Sequence, residues 1–276
     1  CQSGNHPAQT LFAGSEPLIT LRLAALAFGV AVSVSTHAAP SITVEVLGSV
    51  RNPGMLTLPV TGRLSDAALA GAPDDRSYML GAALLKRSEL VAQTRLKAGL
   101  LFDLEAIESR ESSDPDGSVA ATHVAREISA MPVTGRIRQG LAPRVLEMQL
   151  SSNRPLADGD RLYYPTRPST VTVLGAVEQP CSIPHSPLQR PVDYARQCPA
   201  LLAASKDDLF VIQPDGETQK IGIALWNRSS ETTLAPGAIV FVPLNARTTR
   251  DVSPEFNEDA ARFLATQVLD APGVPK

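Results

Sequence analysis

The chain has 276 residues, a formal net charge of −3 and a pI of about 5.9, and its lysines and arginines form no basic cluster. Binding to nucleic acid or to an anionic membrane surface needs such a cluster, so neither partner is predicted. The cysteines and histidines lack metal-ligand spacing, and we predict no metal site and no cofactor.

Residues 18–39 have the pattern of a secretory signal peptide. The basic residue Arg22 precedes an apolar run at residues 23–34, and small residues follow through Ala38 and Ala39. The run is shorter than the roughly 20 residues that span a membrane, so a cleaved signal is favoured over a retained membrane helix. Cleavage after Ala38 is favoured over cleavage after Ala39, which would leave Pro40 as the first residue. We therefore predict export to the periplasm, with no integral membrane segment after signal cleavage.

Residues 1–17 precede this signal and need a separate explanation. The first methionine of the sequence is Met55, so we interpret residues 1–17 as upstream sequence that is not translated, with a start near Leu18. The alternative is a lipid-modified cysteine at Cys1, but the export segment would then follow its own anchor. Residues 1–39 are assigned as leader and signal peptide.

Two similar segments, 127 positions apart, indicate an internal duplication. Residues 44–53 read VEVLGSVRNP, and residues 171–180 read VTVLGAVEQP. Alternating Val and Leu in both segments predict half-buried strands. Two pairs of charged residues match at the same offset, Arg63 with Arg190 and Asp66 with Asp193.

A second pattern closes each copy, at residues 156–165 and at residues 234–243. Because these closing segments lie only 78 positions apart, the first copy is longer by 49 residues, which must fall between Asp66 and Leu156. The second copy lacks the two acidic residues that flank Gly159 in the first.

The extra length of the first copy has a helical pattern. Leu96, Leu100, Leu104 and Ile107 share one helical face, and apolar residues return at helical spacing after a breaker at residues 112–117. We predict two or three helices, inserted at about residues 76–140. Alternation then predicts a strand, with one face formed by Leu146, Met148 and Leu150.

The opening Val-x-Val-x-Gly-x-Val-x-x-Pro and the closing Leu-x-x-Gly-Asp-x-Leu-x-x-Pro at residues 156–165 resemble the soluble-ligand-binding β-grasp modules of bacterial polysaccharide export proteins. Two such modules with a signal peptide, a helical insertion and a C-terminal helix are most similar to the GfcC-type capsule biosynthesis family. The resemblance implies a periplasmic accessory of capsule or exopolysaccharide assembly or export, with no reaction of its own. Its partners would be the polysaccharide or envelope export proteins.

The predicted fold is therefore α+β, with two tandem β-grasp domains, a helical insertion in the first, and a C-terminal amphipathic helix. The domains are placed at residues 40–168 and 169–248, and the helix and tail at residues 249–276. Ser253 caps that helix, and Phe256 lies on its apolar side. The helix either packs against its own modules or docks to an export partner.

The cysteines of the second copy, Cys181 and Cys198, would meet an oxidising compartment after export. We predict that they form a disulfide. Two buried free thiols are the alternative.

Three residues are the predicted ligand- or partner-binding residues: Arg136, Arg138 and Tyr163. Residues 132–136, Pro-Val-Thr-Gly-Arg, look like a segment typical of the family, and arginines on a turn can bind carboxylate, phosphate or sugar hydroxyls. An internal salt bridge is the alternative. Tyr163 and Tyr164 are adjacent in a predicted strand, so one ring should face outward, unless both pack at a sheet edge.

No catalytic residue is predicted, because the sequence contains no Gly-x-Ser-x-Gly elbow, phosphate-binding glycine loop or histidine pair. We therefore predict that the protein is not an enzyme. The alternative, a glycoside hydrolase, needs two carboxylates roughly 5–10 Å apart, which sequence cannot place. A saccharide-binding protein and a purely protein-binding scaffold are both open.

Overall fold

The computed structural model describes residues 40–229 and 232–269. The predicted leader and signal peptide at residues 1–39 lie outside the described residues, as does the end of the chain from residue 270. Among the residues described, none of the helices combines the length and apolarity that a membrane crossing requires.

The first copy forms a five-stranded sheet with strand order β2-β1-β5-β3-β4. The central strands β1 and β5 are parallel, and the other neighbours are antiparallel. The elements in chain order are β1 (Ser41–Gly48), β2 (Gly54–Pro59), α1 (Leu64–Gly71), β3 (Ala83–Leu85), α2 (Leu90–Glu108), α3 (Pro115–Ala130), β4 (Arg136–Ile137), α4 (Pro143–Met148) and β5 (Arg161–Tyr164).

The second copy forms a five-stranded sheet of equivalent order, β7-β6-β10-β8-β9, again with a parallel central pair, β6 and β10. Its elements are β6 (Thr170–Gly175), β7 (Cys181–Pro184), α5 (Pro191–Ala195), β8 (Asp208–Ile212), β9 (Thr218–Gly222), β10 (Ile239–Val242), α6 (Ala246–Thr249) and α7 (Phe256–Leu264). The α+β class and two similar sheets are confirmed. The β-grasp type and the domain boundaries stay predictions.

The repeated Val-Leu-Gly motif has the same structural role in both sheets. Gly48 pairs with Tyr164 at the end of β1, and Gly175 pairs with Val242 at the end of β6. Both glycines have positive φ angles, 91° and 104°, and a Cβ on either would collide with the carbonyl oxygen of its partner. Only glycine allows this close approach of the two central strands.

The prediction of a strand at residues 145–150 is wrong, because this segment contains helix α4. Pro143 lies in the first turn of α4, where its fixed φ favours helix and its missing N–H is not needed. Leu146 is buried, whereas Met148 and Leu150 are 84% and 78% exposed. The alternating residues therefore do not share a buried face.

The inserted helices α2 and α3 lie between β3 and β4, within the predicted range of residues 76–140 but narrower than it. The equivalent strands of the second copy, β8 and β9, are joined by residues 213–217 alone. Helix α3 begins at Pro115, and the side chain of Asp114 caps it by accepting a hydrogen bond from the amide of Gly117 at 3.1 Å.

The apolar faces of α2 and α3 pack in the core of the second copy rather than the first. Leu104 and Ile107 of α2 and Val124 of α3 are buried in one cluster with the strands of the second sheet and α7. Burial of each such leucine or isoleucine contributes about 1.5–3 kcal/mol. The first sheet has a separate core, closed by α1 and α4.

Helix α7 occupies part of the predicted C-terminal helix, and its apolar side faces its own chain. Phe256, Phe263 and Leu264 are buried in the cluster that also contains α2 and the second sheet. In this structure the helix packs against its own modules, which is one of the two alternatives that the sequence left open.

The structure places Cys181 of β7 and Cys198, which follows α5, as a disulfide pair with their Cα atoms 6.1 Å apart. This separation is typical of disulfides. The pair joins the edge strand β7 to the segment after α5.

We expect a non-reduced digest of the purified protein to contain linked peptides of Cys181 and Cys198, detectable by mass spectrometry. A Cys181→Ser/Cys198→Ser variant should melt several degrees lower, since closing a loop of this size contributes roughly 3 kcal/mol. Reductant should lower the melting temperature of the wild type but not of the variant. Recovery of both cysteines as free thiols would contradict the pairing.

Glu127 of α3 contacts the second sheet at the repeated glycine. Its Oε2 accepts a hydrogen bond from the Gly175 amide at 3.0 Å, and its Oε1 is buried without a hydrogen-bond partner among the described residues. Burial raises the pKa of Glu127 from 4.5 to about 7, although the Gly175 hydrogen bond and the charge of Arg126 oppose this increase. The folded protein therefore binds this proton more tightly than the unfolded chain.

The raised pKa predicts that Glu127 stabilises the fold fully below about pH 4.5 and that this contribution is lost as pH rises through about 7. A Glu127→Gln variant should show a flatter decline of melting temperature between pH 5 and 8 than the wild type. Glu105→Gln, at an exposed position of α2, is the matched control. Identical pH profiles for wild type and Glu127→Gln would refute this prediction.

Candidate functional site

A cleft of about 400 Å³ lies beside β3 in the first copy, and we call it the β3 cleft. It is formed where the residues after β3, the closing loop before β5 and residues 133–134 meet β1 and β2. Two segments that the sequence analysis singled out, the Asp158-Gly-Asp160 loop and residues 132–136, therefore contribute to one cleft.

The acidic residues of the closing loop are held by the protein itself. Asp158 accepts a hydrogen bond from the Thr43 amide at 2.9 Å, which attaches the loop to β1. Asp160 accepts from the Ala157 amide at 2.9 Å and forms a 2.7 Å ion pair with the Lys86 ammonium. The Asp160 side chain is only 2% exposed, so it orients Lys86 rather than facing solvent.

The β3 cleft carries three basic and two acidic side chains. Besides Lys86 and Asp160, Arg161 pairs with Glu45 at 2.7 Å. The third basic residue, Arg87, is exposed and lies against Gly159, and it has no ion pair within the described part of the chain. The cleft therefore has a net positive charge, carried by a guanidinium that can reach a ligand.

Part of the lining of the β3 cleft is apolar. Met55 of β2 is 63% exposed and Leu90 of α2 is 36% exposed, and Val133 lines the cleft beside them. An apolar wall with a nearby guanidinium suits a ligand that has both a C–H face and an anionic or hydroxyl group. The sequence analysis did not predict Lys86 and Arg87 as site residues, although these two adjacent basic residues directly follow a short apolar run in the sequence.

Arg136 is buried, with only 5% of its surface exposed. Its Nη1 donates to the Gln267 carbonyl at 2.6 Å, and its Nη2 donates to the Pro214 carbonyl. Burial lowers the pKa of Arg136 to about 10, and the charge of Asp215 opposes this decrease. Arg136 thus makes internal contacts. These are mainly hydrogen bonds to carbonyl groups rather than the internal salt bridge considered above. Its role in binding stays a prediction.

The turn that carries Arg136 is fixed by its neighbours. Gln93 of α2 accepts from the Gly135 amide and donates to the Arg136 carbonyl, both at 2.8 Å. Thr134 donates its hydroxyl to the Thr266 carbonyl at 2.7 Å. Residues 132–136 therefore connect the insertion, the first sheet and the segment after α7.

Arg138 is exposed and pairs with two carboxylates of the turn between β8 and β9. Its Nη2 lies 2.7 Å from Glu217 and 3.4 Å from Asp215. A ligand would have to compete with both carboxylates. The binding role of Arg138 stays a prediction.

The prediction that either Tyr163 or Tyr164 faces outward is wrong, because both are buried. Their strand, β5, lies at the centre of the sheet between β1 and β3, so packing at a sheet edge is also wrong. The Tyr164 hydroxyl donates to the Leu141 carbonyl at 3.1 Å, and burial raises the pKa of this hydroxyl. Tyr163 is therefore not placed to stack on a ligand here, and its predicted role is not supported by exposure.

No group of three His, Cys, Asp or Glu side chains that could hold a metal ion occurs in residues 40–229 and 232–269. The two carboxylates at the β3 cleft, Glu45 and Asp160, each pair with a basic residue.

Replacing Arg136 with methionine should lower the free energy of unfolding by about 2–4 kcal/mol, because the Pro214 and Gln267 carbonyls lose their donors. Arg138→Met is the matched control, and loss of its exposed ion pairs should change stability by about 1 kcal/mol or less. Urea unfolding of both variants measures the difference. Equal stabilities would show that the buried guanidinium does not hold the two segments together.

Two protein-family models match this sequence. "Capsule biosynthesis GfcC, N-terminal" matches residues 40–167, and "Capsule biosynthesis GfcC C-terminal" matches residues 179–269. YjbG of Escherichia coli (strain K12), described as an uncharacterized protein, is 29% identical over 192 residues, which cover 70% of this chain and 77% of YjbG. Since the two matched ranges cover well over half of the chain, it belongs to the GfcC capsule biosynthesis family.

Proposed function

We propose that this protein is an exported, non-catalytic periplasmic accessory of capsule or exopolysaccharide assembly that binds an acidic segment of the polysaccharide in the β3 cleft. Membership of a capsule biosynthesis family supports the general role. The observation that carries the binding proposal is the exposed Arg87 guanidinium, which has no ion pair among the described residues and stands near an apolar wall.

The β3 cleft is suited to a polymer segment because Met55, Arg87 and Leu90, which line it, are exposed to solvent. A sugar ring could place its C–H face on Met55 and Leu90, while a carboxylate or hydroxyl accepts hydrogen bonds from Arg87. Lys86 adds positive charge and is already oriented by its ion pair with Asp160. Little side-chain ordering would then be needed on binding, which favours affinity.

A non-catalytic role is supported by the state of the carboxylates. Glu45 and Asp160 each form an ion pair with a basic residue of the cleft. Glu127, whose pKa burial raises to about 7, contacts the Gly175 amide on the second sheet rather than lining the β3 cleft. This arrangement does not resemble a general acid facing a second carboxylate.

The second candidate is a purely protein-binding scaffold of the envelope. Its supporting observation is the exposed apolar surface at α4, where Val145, Met148 and Leu150 are 45%, 84% and 78% exposed. Contiguous exposed apolar residues often mark protein interfaces.

Titration with the purified polysaccharide of the source organism tests the proposal. We expect the wild type to bind, Arg87→Glu to bind at least tenfold more weakly, and affinity to fall with salt concentration. Arg95→Glu makes the same charge change at an exposed position of α2 outside the β3 cleft and should bind like the wild type.

Two outcomes would overturn the proposal. If Arg87→Glu binds as tightly as the wild type, the polysaccharide does not bind in the β3 cleft. If the wild type does not bind the polysaccharide at all, saccharide binding is wrong and the scaffold function is favoured.

A further inference from the structure

A helix that covers α1 in the first copy has no counterpart among the described residues of the second. In the first sheet, α4 packs on α1, and its Leu146 is buried in the same core as Leu64 of α1. Helix α5 follows the second hairpin as α1 follows the first. The connection that contains α4 in the first copy, residues 138–160, is shortened to residues 223–238, whose described part contains no helix.

A cavity of about 400 Å³ lies beside α5 in the second copy, and we call it the α5 cleft. Its walls are α5, the end of β9 and the turn that follows β9. Within the described part of the chain, no helix lies between β9 and β10 to cover this surface.

The α5 cleft is lined by three arginines, Arg190, Arg196 and Arg228. Arg190 and Arg196 share the single carboxylate of Asp193, at 2.9 Å and 3.6 Å respectively. Arg228 is exposed and makes no ion pair with any described residue. The described residues that line the cleft thus include three arginines and no carboxylate, and this positive charge favours an anionic ligand.

The carboxylate of Asp208 lies near the same turn but is already engaged. It accepts a hydrogen bond from the Asn227 side chain at 3.1 Å and lies 3.8 Å from the Lys220 ammonium. Asp208 thus pairs with Lys220 and forms no ion pair with Arg228.

The turn that carries Arg228 is held in place by several hydrogen bonds. The Asn227 side chain accepts from the Ala224 amide at 3.0 Å, and the Ser229 hydroxyl accepts from the Gly222 amide at 2.8 Å. A Cβ on Gly222 would collide with the Asn227 carbonyl, so this close packing requires glycine. The turn is thus ordered before any ligand binds.

The same turn exposes Trp226, the only tryptophan of the chain, with 77% of its surface accessible. An exposed indole two residues from an arginine without an ion pair is unusual for a surface turn, because burial of such a large apolar ring is normally favourable. An indole plane can stack on the C–H face of a sugar ring, and a guanidinium can bind a sugar carboxylate through two hydrogen bonds.

We propose that the α5 cleft is a second saccharide-binding site, which binds an acidic sugar unit through Arg228 and Arg196 with Trp226 as a stacking surface. The choice of a saccharide over other anions rests on the proposed function, whereas the position of the site does not. The two sites lie on different copies and can therefore fail separately.

Trp226 makes the experiment direct, since intrinsic tryptophan fluorescence reports on this turn alone. The full secreted protein is titrated with oligogalacturonate, with a malto-oligosaccharide of the same length, and with inorganic phosphate. We expect a saturable fluorescence change with oligogalacturonate that weakens as salt is added, and no saturable change with the neutral oligosaccharide. Phosphate should either give no response or bind with at least tenfold lower affinity than oligogalacturonate.

An Arg228→Gln variant should bind oligogalacturonate at least tenfold more weakly, while its circular dichroism and melting temperature match the wild type because Arg228 has no ion pair to lose among the described residues. Arg95→Gln, an exposed charge-matched change outside the cleft, should titrate like the wild type. An unchanged affinity of Arg228→Gln, or no saturable response of the wild type, overturns the site. An equal response to phosphate or to the neutral oligosaccharide overturns the acidic-sugar assignment.

The failure of this site is distinguishable from failure of the β3 cleft. Polysaccharide binding that depends on Arg87 while oligogalacturonate leaves the fluorescence unchanged would uphold the β3 cleft and overturn the α5 cleft. A fluorescence response that depends on Arg228, with polysaccharide binding that does not depend on Arg87, would uphold the α5 cleft and overturn the β3 cleft.

Discussion

The burial of α2 and α3 against the second sheet is the interaction on which the rest of the structure depends. These helices leave the first sheet between β3 and β4 and complete the core of the second. Leu100, Leu104 and Ile107 are each 1% exposed or less, so the hydrophobic effect holds a segment of one copy inside the other. The short connection between β8 and β9 carries no such helices, so the insertion has made the duplicated units unequal.

Polar contacts give this apolar packing its register. Glu127 of α3 contacts the amide of Gly175 on β6, and Arg136 contacts the carbonyls of Pro214 and Gln267. Buried polar groups need specific partners, since a hydrogen-bonding group left without one costs about 1–3 kcal/mol. Residues 132–136 are therefore explained by their place between three elements, and a ligand-binding role is not needed to account for them.

The two copies use the same framework and expose different surfaces. In the first, α4 covers α1, and the cleft lies beside β3, where Asp160 orients Lys86. In the second, the closing loop has Pro236 and Ala238 in place of the two aspartates, and the shortened connection leaves a cleft beside α5. The described residues that line each cleft include more basic than acidic side chains, although the chain is acidic overall. Local arrangement rather than net charge thus decides which ligands the surface favours.

The sequence by itself determined the duplication, the two sheets, the insertion and the family, because glycine requirements and apolar periodicity are local properties of the chain. The sequence-based prediction failed at residues 145–150, where apolar alternation indicated a strand and tertiary packing selected a helix. Of the alternating residues Leu146, Met148 and Leu150, only Leu146 is buried. The expectation that Tyr163 or Tyr164 faces outward also failed, because both rings are buried. Which core the inserted helices complete, and which arginines remain available to a ligand, were decided only by the tertiary structure. The reason is that burial and ion pairing join residues far apart in the chain, and no local pattern records those partners.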